Sequence, residues 1–205
     1  MRNCFLPTPV IIGLLGLLCI QCQSLQKSKV YELSAFSSNN HIQAVIEIPA
    51  GTNKKIEFNP ISKQFEVDQR DGEDRVIKYL PYPANYGFIP GTFSDPNKGG
   101  DGDALDVLVL CETVPTATVM EIIPIGMLKL VDEGELDYKI IAIPTDKRMR
   151  TIDATSLNIL QEKYPYIQEI LSQWFLNYDA GNSQEIKGIG NETEALNEIK
   201  SQLKS

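Results

Sequence analysis

The chain has 205 residues, with 19 Lys and Arg against 27 Asp and Glu and a formal charge of −8. That length holds one domain with a real core, and an acidic balance without a basic cluster argues against nucleic acid or an anionic membrane surface as main partner. With His41 as the single histidine, zinc enzymes and Ser-His-Asp hydrolases are poor fits.

Residues 1–24 read as an export signal. Arg2 supplies the positive end, residues 10–20 form an apolar run too short to span a bilayer, and a polar segment at 21–24 offers the cleavage region. An uncleaved anchor is one alternative. A lipid-modified Cys19 or Cys22 is another, weakened because neither follows a small residue. The expectation is an exported chain, periplasmic or secreted, with attachment through a lipidated cysteine left open and no membrane span in the mature chain. Cys4, Cys19 and Cys22 belong to the signal, so Cys111 is left without an internal disulfide partner. Residues 25–40 are polar and read as a flexible N-terminal arm. Residues 41–205 form the single folded domain.

The β pattern begins at 43–49, where Ala44, Ile46 and Ile48 share one face and Val45 and Glu47 the other. A carboxylate beside Val45 is odd if that side is core. Residues 55–59 alternate again, with Lys55 and Glu57 together and Ile56 and Phe58 opposite. For both segments a solvated strand face is the competing reading. A further strand at 63–68 leads into the turn at 70–74. The stretch 80–90, with three prolines and three aromatics, forbids an ordinary helix and implies a rigid extended path through Asn85, Tyr86 and Gly87.

The most informative stretch is Gly99-Gly100-Asp101-Gly102-Asp103-Ala104-Leu105-Asp106, followed by Val107-Leu108-Val109-Leu110. Glycines allow a turn sharp enough to bring Asp101 and Asp103 together. The apolar run has no polar face and reads as a strand buried on both sides. Carboxylates converging at the mouth of a buried strand repel one another and are desolvated, so something positive belongs among them. Hard oxygen donors suit Mg²⁺, Mn²⁺ or Ca²⁺, whereas an ordinary solvated turn would need no ion. A loose likeness to a calcium loop at 95–106 is weak, because Gly99 holds a ligand position.

Residues 122–131 and 140–143 form two strands of a hairpin whose tip and shoulders carry Asp132, Asp137 and Lys139, a second acidic cluster with a cation beside it. The C-terminal third is helical. Ile167, Ile170, Leu171, Trp174, Phe175 and Tyr178 fall on one stripe. A last helix spans about 192–203, capped by Asn191 with Glu194 three places on.

Glu47, Lys55-x-Glu57, Arg75, Asn85-Tyr86-Gly87, Asp101-x-Asp103-x-x-Asp106, Asp132-x₄-Asp137-x-Lys139 and Tyr178, in that order, resemble a family I soluble inorganic pyrophosphatase over roughly residues 42–200. The resemblance implies an α+β fold: an OB-like, closed, mostly antiparallel β-barrel with helices at its C-terminal side. It implies Mg²⁺-dependent hydrolysis of pyrophosphate, several ions per site, with Mn²⁺ as a substitute. By the same resemblance Asp101, Asp106, Asp132 and Asp137 hold metals, Glu47 and Glu57 hold them directly or through water, and Asp103 takes the proton of the attacking water. Lys55, Arg75, Tyr86, Lys139 and Tyr178 hold phosphate, Arg75 being preferred over Arg70 because it keeps nearly the family's distance to Asn85. A homo-oligomer is expected, a hexamer favoured. One departure stands out: the family usually has lysine after the tyrosine matched by Tyr178, and here Asp179 follows. An acid there should weaken phosphate binding by repulsion, with Lys187 as a candidate compensator and Asp179→Lys expected to lower KM. The competing readings are an exported calcium-binding module and a phosphate-binding protein on the same fold without catalysis.

Overall fold

The computed structural model describes residues 30–204 apart from 180 and 182, so the expected export signal lies outside the described residues. Its centre is a closed ring of five strands. β1 (Ile42–Ile48) pairs with β6 (Asn85–Phe88), β6 with β7 (Asp106–Val109), β7 with β10 (Lys139–Pro144), and β10 with β8 (Val119–Asp132). β8 then returns to β1, Ile42 lying opposite Ile122. A 14-residue strand is long enough to serve all these partners, pairing with β1 near its start and with β11 (Gln184–Asn191) and β9 (Glu135–Leu136) near its end. Closure leaves few open edges. The expected mostly antiparallel barrel is present, with one parallel pair, β7 against β10.

The apolar run after Asp106 is buried on both sides. Val107 and Val109 join Ile140, Ala142, Ile46 and Met127 in one cluster, closed by Ala195 and Ile199 of α3 (Glu192–Ser201). Leu108 and Leu110 join Ile141, Ile143 and Leu128 in another. That second cluster is closed by α1 (Leu157–Lys163) and by Leu171, Trp174 and Phe175 of α2 (Ile167–Asn177). Side chains alternate across a strand, so two covered faces require a run with no polar position. The capping box at Asn191 and Glu194 is formed.

Two ribbons stand outside the ring: β2 (Ile56–Asn59) with β3 (Gln64–Val67), and β4 (Gln69–Arg70) with β5 (Glu73–Asp74). In the second, Asp71 and Gly72 both take positive φ, 57° and 84°, the geometry that suits an Asp-Gly hairpin. Several expectations shift. Ile170 is 56% exposed and leaves the α2 stripe. α3 stops at Ser201, with Leu203 in an isolated bridge to Thr92. Residues 30–40 dock on the domain instead of trailing: Val30 and Ala35 are buried, and the Ala35 carbonyl accepts from the Gln43 N–H at 2.8 Å. Among the described residues no helix is long and apolar enough to cross a membrane.

Gly87 shows how tightly the ring closes. A Cβ there would lie 1.9 Å from the Val45 carbonyl oxygen on β1. The obstacle is backbone, so Gly87→Ala must push β1 and β6 apart. We expect a loss of roughly 3 kcal/mol or more, at the upper end of overpacking costs, read as a fall in the urea midpoint; an unchanged midpoint would refute the close approach.

Candidate active site

One cleft of about 310 Å³ opens at the rim of the ring, and all twelve residues singled out from the sequence line it. The Asp-rich turn forms one side. Asp95 caps a short 3₁₀ turn, Pro96–Lys98, and Gly99 and Gly102 follow with φ of 89° and 87°. Gly100 has no room for a side chain, because a Cβ would lie 2.2 Å from Ser94 Oγ. The folded turn lets the Asp103 N–H donate to Asp101 Oδ1 at 3.0 Å. Burial pushes both carboxyls above their ordinary range. For Asp103 the negative charge of Glu57 adds to this, while Lys55 opposes it.

The parallel pairing of β7 and β10 decides the middle of the site. Asp106 and Lys139 begin these strands and stand in register, so their side chains emerge side by side. Tyr86 lies opposite Leu108, two residues along the same face of β7. The Lys139 ammonium donates to Asp106, to Asp137 Oδ1 at 2.5 Å and to the Tyr86 hydroxyl at 3.0 Å, and that hydroxyl donates to Asp106. The lysine side chain is 4% exposed. Burial works against its charge, but Asp106 and Asp137 outweigh burial and keep it protonated. Burial pushes Asp106 upward, with Lys139 opposing. The positive group expected among the aspartates is thus supplied in part by the chain itself.

Glu47 closes the opposite wall. It is buried, and its Oε1 accepts the Phe58 N–H at 2.8 Å. Burial, with Asp106 and Glu57 adding to it, pushes its pKa up to about 8 against the Phe58 hydrogen bond and Lys55. The odd strand position noticed in the sequence is therefore a carboxylate turned into the cleft wall beside Val45, Phe58 and Phe88. Lys55 pairs with Glu57 at 2.6 Å. Its N–H donates to the Arg75 carbonyl at 3.0 Å, which locks the β2 ribbon to the β4–β5 hairpin and fixes the two cations relative to each other.

Tyr178 caps α2 and stacks on Trp174, ring centres 4.6 Å apart and planes 7° from parallel. Trp174 is anchored in turn by donating to the Leu80 carbonyl at 2.8 Å. The tyrosine is held rigidly over the cleft by this stack.

Two features were not foreseen. Arg70, passed over in favour of Arg75, also lines the cleft. Both arginines reach the same oxygen, Asp179 Oδ2, each at 3.0 Å, and Arg75 also contacts Asp68 at 3.3 Å. Asp179 itself does not line the cleft; it faces the adjoining cavity behind the arginines. The premise that an uncompensated acid faces the substrate therefore falls. Lys187 does not compensate from a loop either: it lies on β11, pairs with Glu185 at 2.6 Å and is outside the cleft.

The donor set fits a hard divalent cation. The cleft gathers six carboxylates, from Glu47, Glu57 and the four aspartates of the two acidic clusters, beside Asp103, with no histidine or cysteine. Among the described residues the Oδ1 of Asp132 is buried with no hydrogen-bond partner, as a metal donor would be. No group of three acidic side chains is drawn together tightly enough to cage an ion outright among the described residues. Lys139 instead draws Asp106 and Asp137 onto its ammonium.

A family model described as inorganic pyrophosphatase matches residues 44–205. The chain belongs to this family. A curated inorganic pyrophosphatase from Sulfolobus acidocaldarius is 35% identical over 170 residues, covering 80% of this chain and 90% of its own. Another from Neisseria meningitidis is 32% identical over 163 residues, covering 79% and 86%. The crystal structure of an inorganic pyrophosphatase from Neisseria gonorrhoeae superposes with a TM-score of 0.69 at 30% identity, over 85% of this chain and 95% of that one. Membership in the pyrophosphatase family accounts for a cleft that sets carboxylates and the cations of Lys55, Arg75 and Lys139 in one place. The Arg70–Asp179–Arg75 bridge is the feature that the family resemblance did not lead us to expect.

Proposed function

We propose that the cleft hydrolyses inorganic pyrophosphate to two phosphates, with Asp103 as the proton acceptor. The observation that carries this is the convergence in one cleft of Lys55, Arg75, Lys139, Tyr86 and Tyr178 with two separate acidic clusters. A calcium module without catalysis would give those cations no task.

Lys55, Arg75 and Lys139 hold the two phosphates by charge-assisted hydrogen bonds. Tyr178 adds a hydroxyl donor on a rigid aromatic support, and the Tyr86 hydroxyl, which donates to Asp106 in this structure, would be free to donate to phosphate once that carboxylate turns to a cation. Asp101, Asp106, Asp132 and Asp137 would hold Mg²⁺, with Glu47 and Glu57 as direct or water-linked donors and Mn²⁺ as a substitute. Bound Mg²⁺ would neutralise substrate charge and lower the pKa of a coordinated water. Asp103, whose carboxylate forms no ion pair with a lysine or arginine among the described residues, unlike those of Asp106 and Asp137, accepts the proton as the water oxygen bonds to phosphorus. The bridging P–O bond breaks, and its electron pair leaves on a phosphate whose charge the lysines and Arg75 stabilise.

Assembly as a homo-oligomer, a hexamer favoured, and a location outside the cytosol are carried in the same proposal, on the family resemblance and on the pattern of residues 1–24. The purified protein with Mg²⁺ and pyrophosphate should release phosphate, and Ca²⁺ in place of Mg²⁺ should suppress release. No phosphate under Mg²⁺ would reject catalysis and leave a binding protein.

A further inference from the structure

We propose that Arg70 is a second guanidinium that holds the substrate's phosphate beside Arg75, and that Asp179 is the positioning residue that keeps it there. This rests on the reading of the cleft as a pyrophosphate site.

The argument begins with the hairpin. β4 ends at Arg70, the Asp71-Gly72 turn reverses the chain, and Arg75 follows β5 directly. Backbone alone therefore brings two guanidiniums to the same wall of the cleft. Like charges this close repel, and a half-exposed arginine on a short ribbon would swing into solvent unless something held it. Asp179 holds it: a single carboxylate oxygen accepts from Arg70 Nη1 and Arg75 Nη2 at 3.0 Å each. Burial raises the Asp179 pKa, but the hydrogen bonds from Arg70 and Arg75 outweigh burial and hold it below its ordinary range.

The arrangement has a direction. Arg70 and Arg75 line the cleft, while Asp179 lines the cavity on their far side. A substrate anion entering the cleft meets the guanidiniums first. Arg75 divides its donors between Asp179 and Asp68, whereas Asp179 is the only hydrogen-bonding partner of the Arg70 side chain among the described residues. The Arg70 side chain is 49% exposed against 14% for Arg75. With five N–H donors in a planar fork, Arg70 can keep its contact to Asp179 and still offer donors to a phosphate oxygen. An acid next to Tyr178 thus brings a cation to the site, reversing the effect expected from its charge alone.

Steady-state kinetics with magnesium pyrophosphate separate the possibilities. Arg70→Ala should raise KM on the order of tenfold, the loss of one charge-assisted contact, with kcat moving less than KM. Arg70→Lys should recover part of that loss. Asp179→Asn and Asp179→Lys should also raise KM. The double variant Arg70→Ala/Asp179→Asn should raise KM by less than the product of the two single effects, because the part of the Asp179 effect that runs through Arg70 is already lost and only its hold on Arg75 remains. The dissociation constant of methylenediphosphonate, which cannot be hydrolysed, should follow KM across the set. Circular dichroism and the thermal midpoint confirm folding of each variant.

An unchanged KM in a folded Arg70→Ala variant overturns the proposal. So does a lower KM in Asp179→Asn or Asp179→Lys, which would make the aspartate a competitor of phosphate. If the wild-type protein releases no phosphate, the reading of the whole cleft falls; an active wild type indifferent to Arg70→Ala removes Arg70 alone.

Discussion

Asp103→Asn is expected to lower kcat by roughly 10² to 10⁴-fold, the range by which a positioned general base contributes, while the fold survives. The substitution is nearly isosteric. The backbone contacts that shape the turn remain: the Asp103 N–H to Asp101 Oδ1 at 3.0 Å and the Ser94 N–H to the Asp103 carbonyl at 2.7 Å. No hydrogen bond holds the Asp103 carboxylate among the described residues, in contrast to Asp106 and Asp137, which are tied to Lys139. Burial and Glu57 raise its proton affinity against Lys55, which suits a group that must accept a proton. Burst and steady-state phosphate release should show the loss in kcat, with KM changed less. A kcat within about threefold of wild type would transfer the role to another carboxylate.

Lys139→Met should be the most destabilising single change in the cleft. Methionine keeps the length and apolar stem but removes the charge between Asp106 and Asp137. Both carboxylates are largely buried, at 18% and 16% side-chain exposure, and would face each other without a counter-charge. Removing one partner of a buried ion pair costs about 3–5 kcal/mol, and the loss should appear in full when unfolding by urea is followed in EDTA. Adding Mg²⁺ should restore part of the stability, since a divalent cation supplies the missing charge to the same acids. Activity should be lost as well if, as proposed, the lysine also holds phosphate. A urea midpoint in EDTA equal to that of the wild type would show that Asp106 and Asp137 do not depend on Lys139.

Much of this protein is legible along the chain because the information is local. The run Val107–Leu110 has no polar position, and both of its faces are covered. The capping box at Asn191 and Glu194 is a contact between near neighbours, so spacing suffices to find it. The order and spacing of the acids and cations, from Glu47 to Tyr178, identify a family without any coordinates. The same spacing was also the weakness where two arginines competed. Distance to Asn85 selected Arg75 over Arg70, yet a hairpin of two-residue strands brings both to the cleft. β11 is not legible along the chain for a similar reason. With only Ile186 and Ile189 as large apolar residues and a register shift between them, it has no period-two signal and is a strand only because β8 offers an edge.

What the sequence determined by itself was therefore the set of chemical groups, the apolar strands that carry them and the turns that allow close approach. Whether charges attract, repel or screen one another depends on which side of a wall each one faces, and that was decided by tertiary structure alone. The parallel register of β7 and β10 sets Lys139 beside Asp106 across 33 residues of chain. The meeting of the β4–β5 hairpin with the end of α2, 109 residues apart, turns Asp179 from an acid in the substrate's path into the brace behind two arginines. Coulomb energy follows distance and burial, and neither can be read from position in the chain.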